Sequence, residues 1–261
     1  KITQVSEVNQ LILQGKQKGY LTYEEVNDIL PSNVVAPEQI DDLMQLFGEN
    51  NIHIVDLSMP STPVEAGSFL NQADNCHDIY TKDNIAYISE GWSYRFGIYD
   101  ISDLNNITEL AEISCAGYAH NAWVTNDDNY LITTEETVGK TVKIWDITNL
   151  NNIQEVDRIQ SNPGSNSIPH NTFVDGNFLI TSYYRDGTTV HDITYPNNMI
   201  QVAYYDSYSG SGSGFDGCWG TYPFLPSGNI ISSDINSGAG GKGRLLIYGR
   251  NFQQACYLQG N

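Results

Sequence analysis

The sequence predicts a mainly β fold: a partial β-propeller of about four to five blades behind a small N-terminal three-helix module. Three observations carry that expectation. After residue 51, short β-rich runs such as "NIAYISE", "NYLITTE", "VKIWDIT", "NFLITSY" and "RLLIY" alternate with Gly, Asn, Asp and Pro clusters, the pattern of strands punctuated by turns. One element recurs as "HIVDLSMPSTPVEAG", "GIYDISDLNNITELAE", "KIWDITNLNNIQEVDR" and "VHDITYPNNMIQVAYY", with aspartates at 56, 100, 146 and 192 and hence spacings of 44, 46 and 46. A second element, out of phase with the first, recurs as "CHDIYTKDNIAYIS", "AHNAWVTNDDNYLIT", "PHNTFVDGNFLIT" and "CWGTYPFLPSGNIIS". Together they offer about four short strands per repeat, and a period of about 40 to 50 residues with four strands is the signature of propeller blades.

Residues 1–50 read as helices. Val5, Val8, Leu11 and Ile12 recur at helical spacing, and Gly15 and Gly19 bracket the end of that segment. Thr22 and Glu25 form a capping-box pair, Val26, Ile29 and Leu30 supply an apolar face, and Pro31 stops the helix. A third helix opens at Pro37, runs through Ile40, Leu43, Met44, Leu46 and Phe47, and meets a C-terminal cap in Gly48. The expected division is therefore an acidic helical module over 1–50 and a repeat-built β part over 51–261.

Charge narrows the partners. Asp and Glu number 31 against 12 Lys and Arg, a surface that repels nucleic acid and anionic membrane and favours cations. No apolar run of about 18 residues is present to span a bilayer, and the N-terminus as given carries no basic-then-apolar signal segment. Cys76, Cys115, Cys218 and Cys256 have no CxxC spacing and allow two disulfides or four thiols. No GxSxG, HExxH or P-loop occurs, and no residue is assigned a catalytic role.

The repeated aspartates, Asp56, Asp100, Asp146 and Asp192, end strands and suit turns in which the carboxylate accepts the following backbone N–H groups. The histidines are more informative. His77, His120 and His170 share one repeat position and are followed by Asp78, Asn121 and Asn171, while Trp219 and Gly220 stand there in the fourth repeat. Repeat-equivalent residues become neighbours around a propeller axis, so three imidazoles are expected to converge. They are candidate ligands for a divalent transition metal, with Asp78, Asn121 and Asn171 in support. The alternative is that each imidazole hydrogen-bonds between blades. Trp219, with Tyr183, Tyr184, Tyr204 and Tyr205, is a candidate for a sugar- or peptide-binding face.

Two resemblances accompany this reading. "LILQGKQKGYLTYEEVNDILPSNVVAPEQIDDLMQLFGENNIHIVD", residues 11–56, resembles region 1.1 of the primary bacterial sigma factor, most densely from Gly15 to Pro31. That family's acidic module sits in the DNA channel of RNA polymerase, which implies a polymerase contact through residues 1–56 and a cytoplasmic location. "IVDLSMPSTPVEAG", "CHDIYTKDNIAYISEGW", "IYDISD" and "GCWGTYPFLPSGNIISSD", within residues 54–236, resemble the LVIVD-repeat proteins, especially the choice-of-anchor B surface proteins. That family implies a β-propeller on a secreted or cell-surface protein. The two stretches share Ile54-Val55-Asp56, which suggests a chimera joined there. The expected function is thus a non-enzymatic binding or scaffold module offering its loops to a protein or carbohydrate. The alternatives are a metalloprotein or metalloenzyme built on the histidines, and a sigma-related regulator.

Overall fold

The strand runs become fifteen β-strands among the residues that the computed structural model describes, which are 10–13, 16, 75–210, 212–236 and 240–256. The chain divides into two compact units, Lys1–Ser68 and Phe69–Asn261. In the first, residues 10–13 are helical and Leu11 is buried. The remainder of the expected three-helix module, the junction Ile54-Val55-Asp56 and the turn at Asp56 lie outside the described residues.

The second unit is a series of antiparallel sheets, each taken from one continuous stretch of chain. The first holds β1 (Asp78–Lys82), β2 (Ile85–Ser89), β3 (Arg95–Asp100) and β4 (Thr108–Ser114) in chain order. The second holds β5 (Ala119–Val124), β6 (Tyr130–Glu135), β7 (Val142–Asp146) and β8 (Gln154–Ile159). The third holds β9 (Thr172–Asp175), β10 (Phe178–Tyr183), β11 (Gly187–Asp192) and β12 (Ile200–Tyr205). The fourth has three strands, β13 (Gly217–Tyr222), β14 (Ile230–Ile235) and β15 (Arg244–Tyr248). The two sequence elements interlock to make the sheets. In the first three the histidine element gives the first two strands and the aspartate element the last two; in the fourth the equivalent of the histidine element gives β13 and β14.

Tight turns fix the register. Asp83 and Asn84, both at positive φ (49° and 63°), join β1 to β2 with Lys82 opposite Ile85, as a two-residue primed turn requires. At the next level Asp100 Oδ1 accepts from Ser102 N at 2.8 Å, Asp146 Oδ1 from Thr148 N at 3.0 Å, and Asp192 Oδ1 from Thr194 N at 2.8 Å. Each closes the turn leading to the outermost strand.

The sheets stack face to face, and the apolar cores lie between them. Tyr87, Phe96, Ile98, Ala122, Val124 and Leu131 fill the space between the first and second sheets. Ile132, Ile144, Val174, Leu179 and Tyr183 fill the next, and Ile180, Val190 and Ile230 the last. The second strands β2, β6 and β10 are buried along nearly their whole length, whereas β14 alternates. Outer strands such as β4 and β12 are more exposed. β5 packs on β1, β2 and β3, β9 on β5 and β6, and β13 on β10 and β11. This propeller-like succession forms no closed sheet among the described residues.

Backbone bridges tie neighbours together where a second strand ends beside the next first strand. Gly91 pairs with Ala119, and Tyr184 with Cys218. Gly217 precedes the latter bridge at φ +88°, where a Cβ would stand 2.3 Å from the Tyr184 carbonyl oxygen, so only glycine fits. All four cysteines are free thiols. Burial pushes the Cys218 thiol up to about 11, and it packs 3.2 Å from Thr188 Oγ1.

Candidate functional site

The first strands place the repeat-equivalent residues at one end of the array. His77 and His170 stand just before β1 and β9, held by backbone bonds from His77 N to Ser89 O (2.8 Å) and from His170 N to Ser182 O (2.9 Å). His120 and Trp219 reach the same level by another device. The ladder shifts between Ala119 and Asn121 in one sheet and between Cys218 and Gly220 in the other. His120 and Trp219 are therefore the bulged residues, and a bulge re-aims a side chain that regular alternation would send elsewhere.

The four rings follow one another as neighbours. Ring centroids lie 4.4 Å apart for His77 and His120, 4.1 Å for His120 and His170, and 5.3 Å for His170 and Trp219. Tyr118 meets His77 edge-on, with its hydroxyl 2.9 Å from Nδ1, and Trp92 packs on Tyr118. Tyr184 packs on His170, and Phe215 on Tyr184. His120 and His170 are buried, whereas Trp92 (66% exposed), Phe215 (57%) and Trp219 (49%) form an open rim. Three residues further along, Tyr80, Trp123, Phe173 and Tyr222 form a second aromatic layer, joined by Phe224. It closes the space beneath the histidines.

Glu136 completes the cluster. Its Oε2 lies 3.5 Å from His120 Nε2, its Oε1 lies 3.7 Å from His170 Nε2, and Tyr184 donates its hydroxyl to Oε1 at 2.5 Å. Donor atoms of His120, Glu136 and His170 all fall within 4.8 Å of one another. His77 is outside that group, its Nδ1 taken by Tyr118. Burial, helped by repulsion from neighbouring imidazoles, pulls His120 down to about 2, and burial pulls His170 down to about 4. Both rings are neutral at physiological pH. Burial also raises Glu136, against the Tyr184 hydrogen bond.

Among the expected supporting residues, Asp78 and Asn121 bond each other between neighbouring sheets. Asn121 Nδ2 donates to Asp78 Oδ2 at 2.8 Å, and Asn121 Oδ1 accepts from Thr172 N at 2.9 Å. These bonds sew β1, β5 and β9 together. The Asn171 backbone bonds Ser182, its N–H to Oγ at 3.1 Å. Tyr183 is packed inside, donating to Ile159 O at 3.1 Å. Tyr204 and Tyr205 line a separate cavity of about 240 Å³ with Tyr248 and Phe252. The sequence reading did not single out Glu136, Trp92 or Tyr118. One signal was available for Glu136: it follows β6 as Tyr184 follows β10.

Residues 3–74 match the family Sigma-70 factor, region 1.1. The RNA polymerase sigma factor RpoD of Neisseria gonorrhoeae is 36% identical over 53 residues, which are 20% of this chain and 8% of that protein. The chain thus spans a small fraction of that relative, and the bounds of the family match include Ile54-Val55-Asp56. Among solved structures, the computationally designed Ika4 protein is similar at TM-score 0.49 and 14% identity, covering 72% of this chain and 100% of that one. Periplasmic gluconolactonase of Pseudomonas aeruginosa is similar at TM-score 0.45 and 14% identity, over 66% and 54%. Hydrazine synthase of Kuenenia stuttgartiensis gives 0.48 and 14%, over 66% and 45%. Likenesses this distant do not bear on activity. No helix among the described residues is long and apolar enough to cross a membrane.

Proposed function

We propose that the repeat-built part is a non-enzymatic binding module whose recognition face is the mouth at the first-strand ends. The observation that carries this is the convergence of His77, His120, His170 and Trp219 beneath exposed Trp92 and Phe215. Flat aromatic faces left in water beside imidazole, carboxylate and phenol groups suit a protein or carbohydrate partner, which stacks on the rings and hydrogen-bonds between them. Screening the full chain on glycan and peptide arrays tests the idea. Trp219→Ala should weaken any captured ligand at least about tenfold, since interface aromatics often contribute more than 1 kcal/mol, and leave the melting temperature within a few degrees. A ligand held equally by wild type, Trp92→Ala and Trp219→Ala would place recognition elsewhere.

The LVIVD-repeat resemblance supports assigning this part to the choice-of-anchor B type, hence to a secreted or cell-surface setting. The match of residues 3–74 supports a second reading, that the N-terminal segment contacts RNA polymerase. Failure of core polymerase to retain the full chain would remove it. The two settings conflict, and with the shared Ile54-Val55-Asp56 this motivates the proposal of a chimeric chain. Sequencing source DNA across codons 50 to 60 tests that directly.

A further inference from the structure

The acids of the second strands divide into two kinds. Glu90, fully buried, is paired with Arg95, and Glu135, also buried, with Lys143. Glu136, the next residue along, has no Lys or Arg paired with it among the described residues. Its neighbours are the imidazoles of His120 and His170, at 3.5 and 3.7 Å. A carboxylate drawn partly out of water without a cation is costly, and here it sits between two imidazole nitrogens in a chain with a formal net charge of −19.

We propose that His120 Nε2, His170 Nε2 and the Glu136 carboxylate form a binding site for one divalent transition metal ion of the zinc class. The donor set is of the two-imidazole, one-carboxylate kind that borderline-soft divalent ions take. Bonds of about 2.0–2.1 Å in a tetrahedron place donors roughly 3.3–3.4 Å apart. Glu136 reaches His120 through Oε2 at 3.5 Å and His170 through Oε1 at 3.7 Å, and one donor atom from each residue falls within 4.8 Å of the others, so side-chain turns that draw the donors in by up to about 1.4 Å close the shell. The Nδ1 atoms of His120 and His170 are buried and make no close hydrogen bond of their own. Tyr184 steadies the carboxylate from the other side. The fourth position faces the mouth, where water or a ligand group completes the shell. His77 lies outside the group of donors that come together, which distinguishes this site from one made of the three repeated histidines.

The proposal rests on reading the mouth as a binding site, yet the two fail separately. Zinc uptake is measured without any organic ligand, and rim binding is measured on the arrays. Calorimetric titration of zinc chloride into the chelator-treated full chain near neutral pH is the test, run on wild type, Glu136→Gln, His170→Ala and His77→Ala. Glu136→Gln keeps the Tyr184 hydrogen bond and removes the charge. Wild type should take up one ion per chain. Glu136→Gln and His170→Ala should each lose more than the roughly 10- to 100-fold that outer-sphere partners contribute, and His77→Ala should stay within about threefold of wild type. Circular dichroism melts of all four guard against misfolding; Glu136→Gln, isosteric with the native side chain, keeps the test valid if His170→Ala unfolds. No uptake by wild type, or equal affinity in Glu136→Gln, overturns the site. A loss in His77→Ala matching that in His170→Ala overturns the ligand assignment in favour of the three histidines.

Discussion

The metal-free protein should lose several kcal/mol of stability between pH 7 and pH 4.5. His120, His170 and His191 are buried, and burial depresses them from 6.5 to about 2, about 4 and about 4. A histidine depressed in the folded state binds its proton in the unfolded chain first. Stability is therefore full above the unfolded value near 6.5 and falls as pH drops through the window down to the folded values. At about 1.4 kcal/mol for each pKa unit, every such histidine removes on the order of 2–3 kcal/mol by pH 4.5. Three together rival the total stability of a typical domain, roughly 5–15 kcal/mol. Glu90 and Glu136, raised chiefly by burial, work the other way, since their protonation in the folded state is favoured as pH falls, and they soften the lower end of the window. Urea titrations from pH 8 to 4.5 measure the slope, and His191→Phe should flatten it by about a third. A level profile over that range would mean that the imidazoles are solvated.

Arg95→Ala should cost about 3–5 kcal/mol, the usual penalty for stranding a buried charge. Arg95 Nε contacts Glu90 Oε2 at 2.6 Å, one terminal nitrogen contacts Glu109 Oε2 at 2.6 Å, and the other pairs with Glu112. Without the guanidinium, Glu90 keeps the Tyr99 hydroxyl at 2.7 Å and no cation from this set. Taking up a proton limits the loss, so it should be greater at pH 8 than at pH 5. The double change Glu90→Gln with Arg95→Met should recover part of it, because no charge is then left unpaired. Chemical denaturation of the three proteins is the check, and a cost below 1 kcal/mol for Arg95→Ala would show that the cluster stays wet. The device repeats: Glu135 pairs with Lys143, and buried Asp234 with Arg244 at 3.2 Å.

Periodicity carried most of what could be read in advance. The 46-residue spacing of Asp100, Asp146 and Asp192 follows from one carboxylate-closed turn in each of the first three sheets, a local device that leaves a local signature. His77, His120, His170 and Trp219 were legible for the same reason. The bulges that aim His120 and Trp219 were not, because a bulge is a property of two strands and the alternation of one does not disclose it. Glu136 was hidden by position: in "TTEET" two adjacent acids look alike, and only the partner strands decide that Glu135 meets Lys143 while Glu136 meets imidazoles. Asn121 follows His120 directly, and adjacency in sequence says nothing of what its amide meets. Across the sheets, it is a clamp between Asp78 and Thr172. The closing segment, which lacks the repeat aspartate, is held by a long-range bond that no periodicity foretells, from Ala255 N to Asp192 Oδ2 at 2.7 Å.

The central claim is that repeat-equivalent residues from four sheets meet at one mouth. Nuclear Overhauser spectroscopy on histidine- and tryptophan-labelled full chain tests it most directly. Centroid separations of 4.4, 4.1 and 5.3 Å predict cross-peaks linking His77 to His120, His120 to His170, and His170 to the Trp219 indole. Imidazoles that show cross-peaks only to residues of their own sheet would contradict it.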